Sequence, residues 1–467
     1  MIPVIALVGR PNVGKSTLFN RLTHRRDALV ANEPGLTRDR QYGNGSWYEH
    51  RFIVIDTGGI ADTGSTAISR RTDRSGILDL VSQQALSAVE EADIVLFIVD
   101  GREGLNPLDR DIADTLRRKQ VGAQLVVNKA EGLDHDIVMA DFHELGLMEA
   151  VSISATHGEG VSALLEHVLA GFAPEPAEEE EADCPHVAIV GRPNVGKSTL
   201  VNALVGEDRV LVFDQPGTTR DSIRIPITRK DRDYILIDTA GVRRRGKINE
   251  TLEKFSVVKT LQSIDEANVV ILLIDGSEGV TDQDASLAGF VLERGRAVVI
   301  AVNKWDKVTK EDREDVESEL DRRLQFLSFA QMHFISALKK QGIGNILRSV
   351  DRAFAAANKQ LPTNVINRVL QRAVEKTPPQ MVKGRRIKLK FAHQGRRNPP
   401  TIVIHGNQVD QVKRSYQRYL VKAFRKAFGL WGTPVRLDFQ QSENPYQRRK
   451  GLKKHTQSAR AGRRRRK

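Results

Sequence analysis

An eight-residue phosphate-binding loop is written twice in this chain, letter for letter, 182 residues apart. Gly9-Arg10-Pro11-Asn12-Val13-Gly14-Lys15-Ser16 recurs as Gly191-Arg192-Pro193-Asn194-Val195-Gly196-Lys197-Ser198. Each copy follows an apolar run, Val4 to Val8 or Val187 to Val190, and opens a helical pattern. Strand, glycine loop and helix is the context that gives G-x-x-x-x-G-K-[ST] its meaning. The glycines let backbone N–H groups converge on phosphate oxygens, helped by the positive end of the helix. Lys15 and Lys197 then reach the β- and γ-phosphates, while Ser16 and Ser198 hold Mg²⁺. The sequence predicts nucleoside triphosphate at two places.

The repeat runs well past the loop. Thr37, in Glu33-Pro-Gly-Leu-Thr37-Arg-Asp39, aligns with Thr219 at the same offset of 182. Asp56-Thr57-Gly58-Gly59, after the apolar run Phe52 to Ile55, aligns with Asp238-Thr239-Ala240-Gly241, after Tyr234 to Ile237. The offset falls to 175 at Asn128-Lys129 and Asn303-Lys304, then returns to 182 at Ser154-Ala155 and Ser336-Ala337. Repeats of this length are duplicated domains, not solenoid units.

These motifs specify guanine. Asp56 and Asp238 are placed to reach Mg²⁺ through water, and Gly59 and Gly241 to offer an N–H to the γ-phosphate. Thr37 and Thr219 can close over Mg²⁺ only when that phosphate is present. In Asn303-Lys304-Trp305-Asp306 the carboxylate can accept from guanine N1–H and N2–H₂; adenine lacks that pair of donors and would leave a buried acceptor unpaired. Alone, an Asn-Lys pair is a strand-end turn. After the apolar run Ala297 to Val302, in register with three other motifs, it reads a base. Ser154, Ala155, Ser336 and Ala337 belong with the same nucleotide sites. The residues expected to act on the γ-phosphate are Lys15, Thr37, Gly59, Lys197, Thr219 and Gly241.

Two departures qualify this picture. The first copy reads Asn128-Lys129-Ala130-Glu131, with the carboxylate one methylene further out. One good bidentate contact to a base edge is worth roughly 1–3 kcal/mol of discrimination. The first site is therefore expected to keep guanine with reduced affinity or selectivity. Second, Ile60 and Val242 follow the two D-x-x-G motifs, where many regulatory GTPases carry the glutamine that orients water. Intrinsic hydrolysis should be slow unless a cation, a partner or another side chain substitutes.

The net charge of +13 is segregated. Residues 1–172 carry −7, and the stretch 173–185, with six acidic residues and three prolines, reads as a solvated linker. Residues 186–357 balance at +1, and residues 358–467 carry +25. That distribution is the electrostatic footprint of a nucleic-acid binder. The single cysteine, Cys184, suits a reducing compartment. No apolar run approaches the ~20 residues of a bilayer span, and Met1 to Val8 leads straight into the phosphate loop as a core strand, not a signal peptide. The expectation is a cytoplasmic protein of about three domains.

The basic quarter is patterned before it becomes a tail. Asn364 to Glu375 has helical spacing, Ile387 to Phe391 and Thr401 to Ile404 read as strands, Val412 to Phe428 as a helix, and Val435 to Phe439 as a strand. The order α-β-β-α-β fits a small module of KH type. Gly429-Leu-Trp-Gly432 matches the KH loop G-x-x-G but joins a helix to a strand, so the RNA clamp is not assigned to it. Phe424 and Phe428 are expected in the core. Tyr416, Tyr419 and Trp431 are open to base stacking. From Arg448 to Lys467 the chain holds 11 Lys/Arg in 20 residues, and no acidic residue follows Glu443; phosphate contact is expected there.

Tandem GRPNVGKS domains followed by a small basic module resemble the bacterial GTPase family called Der or EngA, and the resemblance covers essentially the whole chain. It implies GTP hydrolysis, a role in ribosome assembly with binding to the large subunit and its rRNA, and a KH-like third domain. It also implies a hydrophobic residue in place of the catalytic glutamine, and K⁺ as a candidate ligand of Asn12 and Asn194. The expected fold is α/β, with two tandem P-loop GTPase domains, a small α+β KH-like domain and a basic tail. The boundaries are 1–172, a linker 173–185, 186–357, 358–440, and a disordered tail 441–467, in a monomer without a membrane span. Two readings follow: a GTPase timer acting on ribosomal precursors, or a nucleotide-gated RNA or ribosome binder whose first domain senses GTP and GDP without useful turnover. A tRNA-modifying GTPase fits less well, since no additional catalytic cysteine, metal cluster or cofactor motif is present.

Overall fold

The computed structural model describes residues 2–23, 29–31, 40–57, 88–147, 150–173, 184–205, 224–229, 232–237, 257–382 and 385–441. They fall into two compact units, one from Met1–Ala267 and Glu278–Phe290, the other from Asn268–Ser277 and Val291–Lys467.

In the first unit, β1 (Val4–Val8), α1 (Lys15–Leu22), β2 (Leu29–Ala31), β3 (Arg40–Trp47), β4 (His50–Asp56), β5 (Ile94–Asp100), α2 (Pro107–Arg118), β6 (Ala123–Asn128), α3 (His135–Phe142), β7 (Val151–Ser152) and α4 (Val161–Leu169) follow one another. The strands form a seven-stranded sheet in the order β2-β3-β4-β1-β5-β6-β7. β4, β1, β5, β6 and β7 run parallel, and β3 and β2 add antiparallel at one edge. Every residue of β1 is buried, which is why the strand is unbroken Val, Ile, Ala and Leu rather than alternating. Leu18, Phe19 and Leu22 of α1 and Leu164, Leu165 and Leu169 of α4 close the core with Phe52, Leu96 and Ile98. The parallel strands deliver Gly9, Asp56, Asp100 and Asn128 to their carboxyl ends, where open α/β sheets bind ligands.

The same unit contains β8 (His186–Val190), α5 (Lys197–Val205), β9 (Arg224–Arg229), β10 (Arg232–Ile237), α6 (Val257–Glu266) and the N-terminal part of α7 (Asp282–Arg294). β10 pairs parallel with β8 and antiparallel with β9, repeating the β1–β4–β3 pattern.

In the second unit, β11 (Val269–Asp275), β12 (Ala297–Asn303) and β13 (Gln331–Phe334) pair in parallel, with α8 (Arg313–Arg323) between β12 and β13 and α9 (Gly344–Ala357) after β13. There follow α10 (Thr363–Lys376), the short antiparallel pair β14 (Met381–Val382) and β15 (Arg385–Arg386), then β16 (Lys388–Arg396), β17 (Thr401–Asn407), α11 (Arg414–Phe428) and β18 (Arg436–Gln441). The α-β-β-α-β order expected for the basic module is present, with β14 and β15 as an added hairpin. β17 is central, antiparallel to β16 and parallel to β18. Its inward Ile402 and Ile404 pack with Ile366 and Leu370 of α10 and Leu420, Phe424 and Phe428 of α11.

One expectation changes here. The Tyr416 hydroxyl donates to Thr377 O at 2.8 Å, and that of Tyr419 to Ala373 O at 3.0 Å. Both phenols therefore brace α11 against α10; Tyr416 is buried and closed to bases, while Tyr419 is half-buried with its hydroxyl engaged, and burial pushes the Tyr416 pKa up to about 12. Gly429-Leu-Trp-Gly432, to which no RNA clamp is assigned, is a joint. Gly432 donates to Phe329 O at 2.9 Å, and its own carbonyl accepts from Val298 N at 2.6 Å. Gly432 has φ +70°, and a Cβ there would sit 2.6 Å from that of Ala353, so only glycine fits. Arg425 stacks over the Phe329 ring at 4.3 Å. Trp431 stays exposed.

Candidate guanine-nucleotide sites

The first phosphate loop turns through two left-handed residues, Asn12 (φ 68°) and Gly14 (φ 95°). At Gly14 a Cβ would lie 2.3 Å from Asn128 Nδ2, so the glycine serves both the turn and the approach of the base-side loop. Lys15 Nζ donates to Gly9 O at 2.8 Å and Arg10 O at 2.7 Å, which folds the ammonium back over the loop. Ser16 Oγ donates to Asp56 Oδ2 at 2.8 Å. Asp56 is fully buried, and Thr57 Oγ1 ties its strand end to Leu7 O. A hydroxyl beside a buried carboxylate is a hard-oxygen pair that fits Mg²⁺, which when bound neutralises charge on the β- and γ-phosphates.

Asn128 joins the phosphate side to the base side. Its Nδ2 donates to Val13 O at 2.8 Å, and its Oδ1 accepts from Ala155 N at 2.9 Å. The next residue, Lys129, is left-handed (φ 64°), and its ammonium pairs with Asp100 Oδ2 at 2.5 Å. Burial raises the Asp100 pKa, but the hydrogen bond from Lys129 and the backbone N–H groups of Arg102 and Glu103 outweigh it and hold the carboxyl below its usual range. Ala130 N donates to Ile153 O. Glu131 is held by Arg102, whose Nη2 lies 2.8 Å from Oε1. Its own backbone N–H and the Ser154 hydroxyl keep the carboxyl ionised below the ordinary range.

The second copy repeats each half. Asn194 (φ 62°) and Gly196 (φ 100°) take the left-handed positions, and Lys197 Nζ donates to Gly191 O at 2.9 Å and Arg192 O at 2.8 Å. Ser198 opens α5 in the position of Ser16. On the base side, Asn303 Oδ1 accepts from Ala337 N at 2.9 Å, and Lys304 pairs with Asp275 at 2.5 Å. The Trp305 ring packs on Phe334 at 4.3 Å. Asp306 is oriented by the Ser336 hydroxyl and by Lys339, 3.2 Å away, which lower its pKa.

The acidic partners of the loop arginines carry no nucleotide-motif signal. Arg10 and Arg192 belong to the loop motif, yet their guanidinium groups turn to the fully buried Asp109 (3.4 Å) and Asp284 (2.9 Å) and to Glu103 and Glu278. They anchor the loop. Asp109 is also the third helical residue of a capping box with Asn106 at the start of α2, a signal that Asn106-Pro-Leu-Asp109 did offer. Thr37, Gly58, Gly59, Ile60, Thr219, Asp238, Thr239, Ala240, Gly241 and Val242 lie outside the described residues, as do 174–183 of the linker and 442–467 of the tail.

A family model described as "50S ribosome-binding GTPase" matches residues 4–129 and 186–304. A second, "KH-domain-like of EngA bacterial GTPase enzymes, C-terminal", matches residues 360–440. GTPase Der of Yersinia pestis (strain Pestoides F) is 53% identical over 96% of this chain and 95% of its own length. The chain belongs to the GTPase Der family. GTPase Der of Yersinia pseudotuberculosis serotype O:1b matches to the same extent. Membership makes the chain a GTP-binding, GTP-hydrolysing protein with two tandem G-domain regions and a KH-like domain. Among solved structures, the G domain of T. maritima FeoB covers 36% of this chain and 98% of its own at 24% identity, with a TM-score of 0.27. Among the described residues, no helix is long and apolar enough to cross a membrane.

Proposed function

We propose that both phosphate loops bind GTP with Mg²⁺ and that the chain acts as a GTPase timer in ribosome biogenesis, engaging the large subunit through rRNA. The observation that carries this reading is the segregation of charge: residues 358–467 hold +25 while the two nucleotide-binding regions hold −7 and +1. The relatives' family name and the ribosome-binding description of the family model agree with it. In each site the lysine and Ser16 or Ser198 serve the phosphates and Mg²⁺, Thr37 or Thr219 closes the switch, and Asp56 or Asp238 with Gly59 or Gly241 senses the γ-phosphate. Asn128 to Glu131 and Asn303 to Asp306 read the base. K⁺ at Asn12 and Asn194 substitutes for the absent glutamine; both asparagines stand exposed at the loop apex in left-handed conformation. The domains are 1–172, 186–357 and 358–440, and the chain works as a cytoplasmic monomer.

Sedimentation of the chain with ribosomal particles in GTP and in GDP tests this reading. Binding to the large subunit should depend on nucleotide, and Lys197→Ala should remove that dependence. Identical sedimentation in both nucleotides would sink the timer. Glu131 favours the second reading, in which the first domain only senses nucleotide; single-turnover hydrolysis by Lys15→Ala and Lys197→Ala chains separates the two.

A further inference from the structure

We propose that the sheet of the KH-like module carries a base-stacking platform for single-stranded RNA, formed by Phe391, His405 and His393. Phe391 and His405 are cross-strand partners on β16 and β17. Their rings stack at 4.3 Å between centroids with 11° between planes. His393, two residues along β16 from Phe391, also stacks with His405, at 5.2 Å and 18°. Three rings thus form a column across the face opposite Ile402 and Ile404, and the column ends in an open Phe391 that is 48% exposed.

A β-bulge between Leu389 and Phe391 sets this geometry. It lets Leu389 keep its place against the core while Phe391 comes out to solvent, the re-aiming that bulges provide. The large aromatics of α11 behave oppositely: Phe424 and Phe428 are buried, and the Tyr416 and Tyr419 hydroxyls are bonded to α10. Phe439 of β18 packs against the core, and Trp431 is the other exposed large aromatic of the module among the described residues. Arg386 on β15 and Lys388 and Lys390 on β16 itself are exposed and have no carboxylate partner among the described residues. An aromatic column flanked by free cations matches an unpaired base followed by its phosphate. Bases in a duplex are already stacked and cannot add to the column, so the occupant is a single strand.

This inference rests on the RNA reading of the basic region, and the experiment separates the two. Fluorescence anisotropy of labelled oligoadenylate and oligouridylate, and of a matched RNA duplex, is measured on the full chain and on Phe391→Ala, Phe391→Leu and Phe391→Trp. Loss of the ring should weaken single-strand binding by about tenfold, with the tryptophan variant retaining it. Duplex binding and the salt dependence of single-strand binding should stay as in the parent, because phosphate contacts are untouched. Leucine binding single strands as well as phenylalanine does would overturn the platform, as would equal losses for duplex and single strand. A parent chain that binds no RNA would instead overturn the reading beneath it. If a peptide of residues 173–185 bound in a Phe391-dependent way and single strands did not, the face would be a protein-docking surface and the proposal wrong.

Discussion

Arg102 Nη2 lies 2.8 Å from Glu131 Oε1, and the counterpart carboxylate, Asp306, takes its cation from Lys339 instead. Arg102 comes from the turn after β5, Lys339 from the loop after β13. The longer glutamate of the first site thus reaches toward a different strand end, and the extra methylene is absorbed by a new partner rather than by the loop.

Removing that partner should weaken GDP at the first site only. Arg102→Ala is expected to cost roughly two- to fivefold in Kd, the range of an exposed ion pair. In a Glu131→Asp background the shorter carboxylate no longer meets Arg102, so the same substitution should change little. Titration of fluorescent GDP into Lys197→Ala chains, which isolate the first site, measures both. Additive losses would show that Arg102 acts elsewhere.

The second site should bind GDP more tightly than the first, because Asp306 keeps the shorter carboxylate and Glu131 does not. Isothermal titration of the Lys15→Ala and Lys197→Ala chains gives the two affinities separately. Equal or reversed values would refute the ranking.

Potassium should accelerate GTP hydrolysis severalfold over sodium at equal ionic strength, by placing charge where the transition state develops it. Asn12→Ala and Asn194→Ala should each remove part of the difference. Phosphate release followed in the two salts decides the matter.

Asp109→Ala removes the buried carboxylate partner of Arg10, leaving only the exposed Glu103, and takes away the third-residue half of the capping box on Asn106. Breaking one partner of a buried pair costs about 3–5 kcal/mol, so the urea midpoint should fall markedly. Asp284→Ala should act likewise through Arg192. A change within the scatter of surface substitutions would mean that the loop anchors itself.

Acid should weaken the first base loop in a defined direction. The folded Asp100 pKa lies below its usual value, so the native state binds fewer protons than the unfolded chain. The stability this contributes is complete above the ordinary aspartate pKa of about 3.9 and is lost as pH falls through the depressed folded value. Asp275, held by Lys304 and Ser277 against burial, shifts the same way. Asp100→Asn should flatten the acid limb of a stability-versus-pH curve measured by denaturant midpoints.

Much of this site was legible because its chemistry is local. The phosphate loop and its lysine lie within eight consecutive residues that run directly into α1, and the repeat doubled the signal. Asn128 was readable as a base residue, but its grip on Val13 O joins positions 115 residues apart, and no spacing rule encodes that. Arg10 was legible as a loop residue, but the direction of its side chain was not, because its partner Asp109 lies 99 residues away. The tyrosines of α11 were ambiguous for a similar reason. Their helical phase faces both core and rim, and only the carbonyls of Ala373 and Thr377 decide which.

The bridge made by β12 has a thermal consequence. Its residue Val298 takes the Gly432 carbonyl, and its last residue, Asn303, holds the Ser336-Ala337 loop. One inextensible strand thus carries load for both the basic module and the second base pocket. Residues 268–441 should melt in a single calorimetric transition, so that heat cannot unravel the KH-like module while the Asn303 loop stays folded.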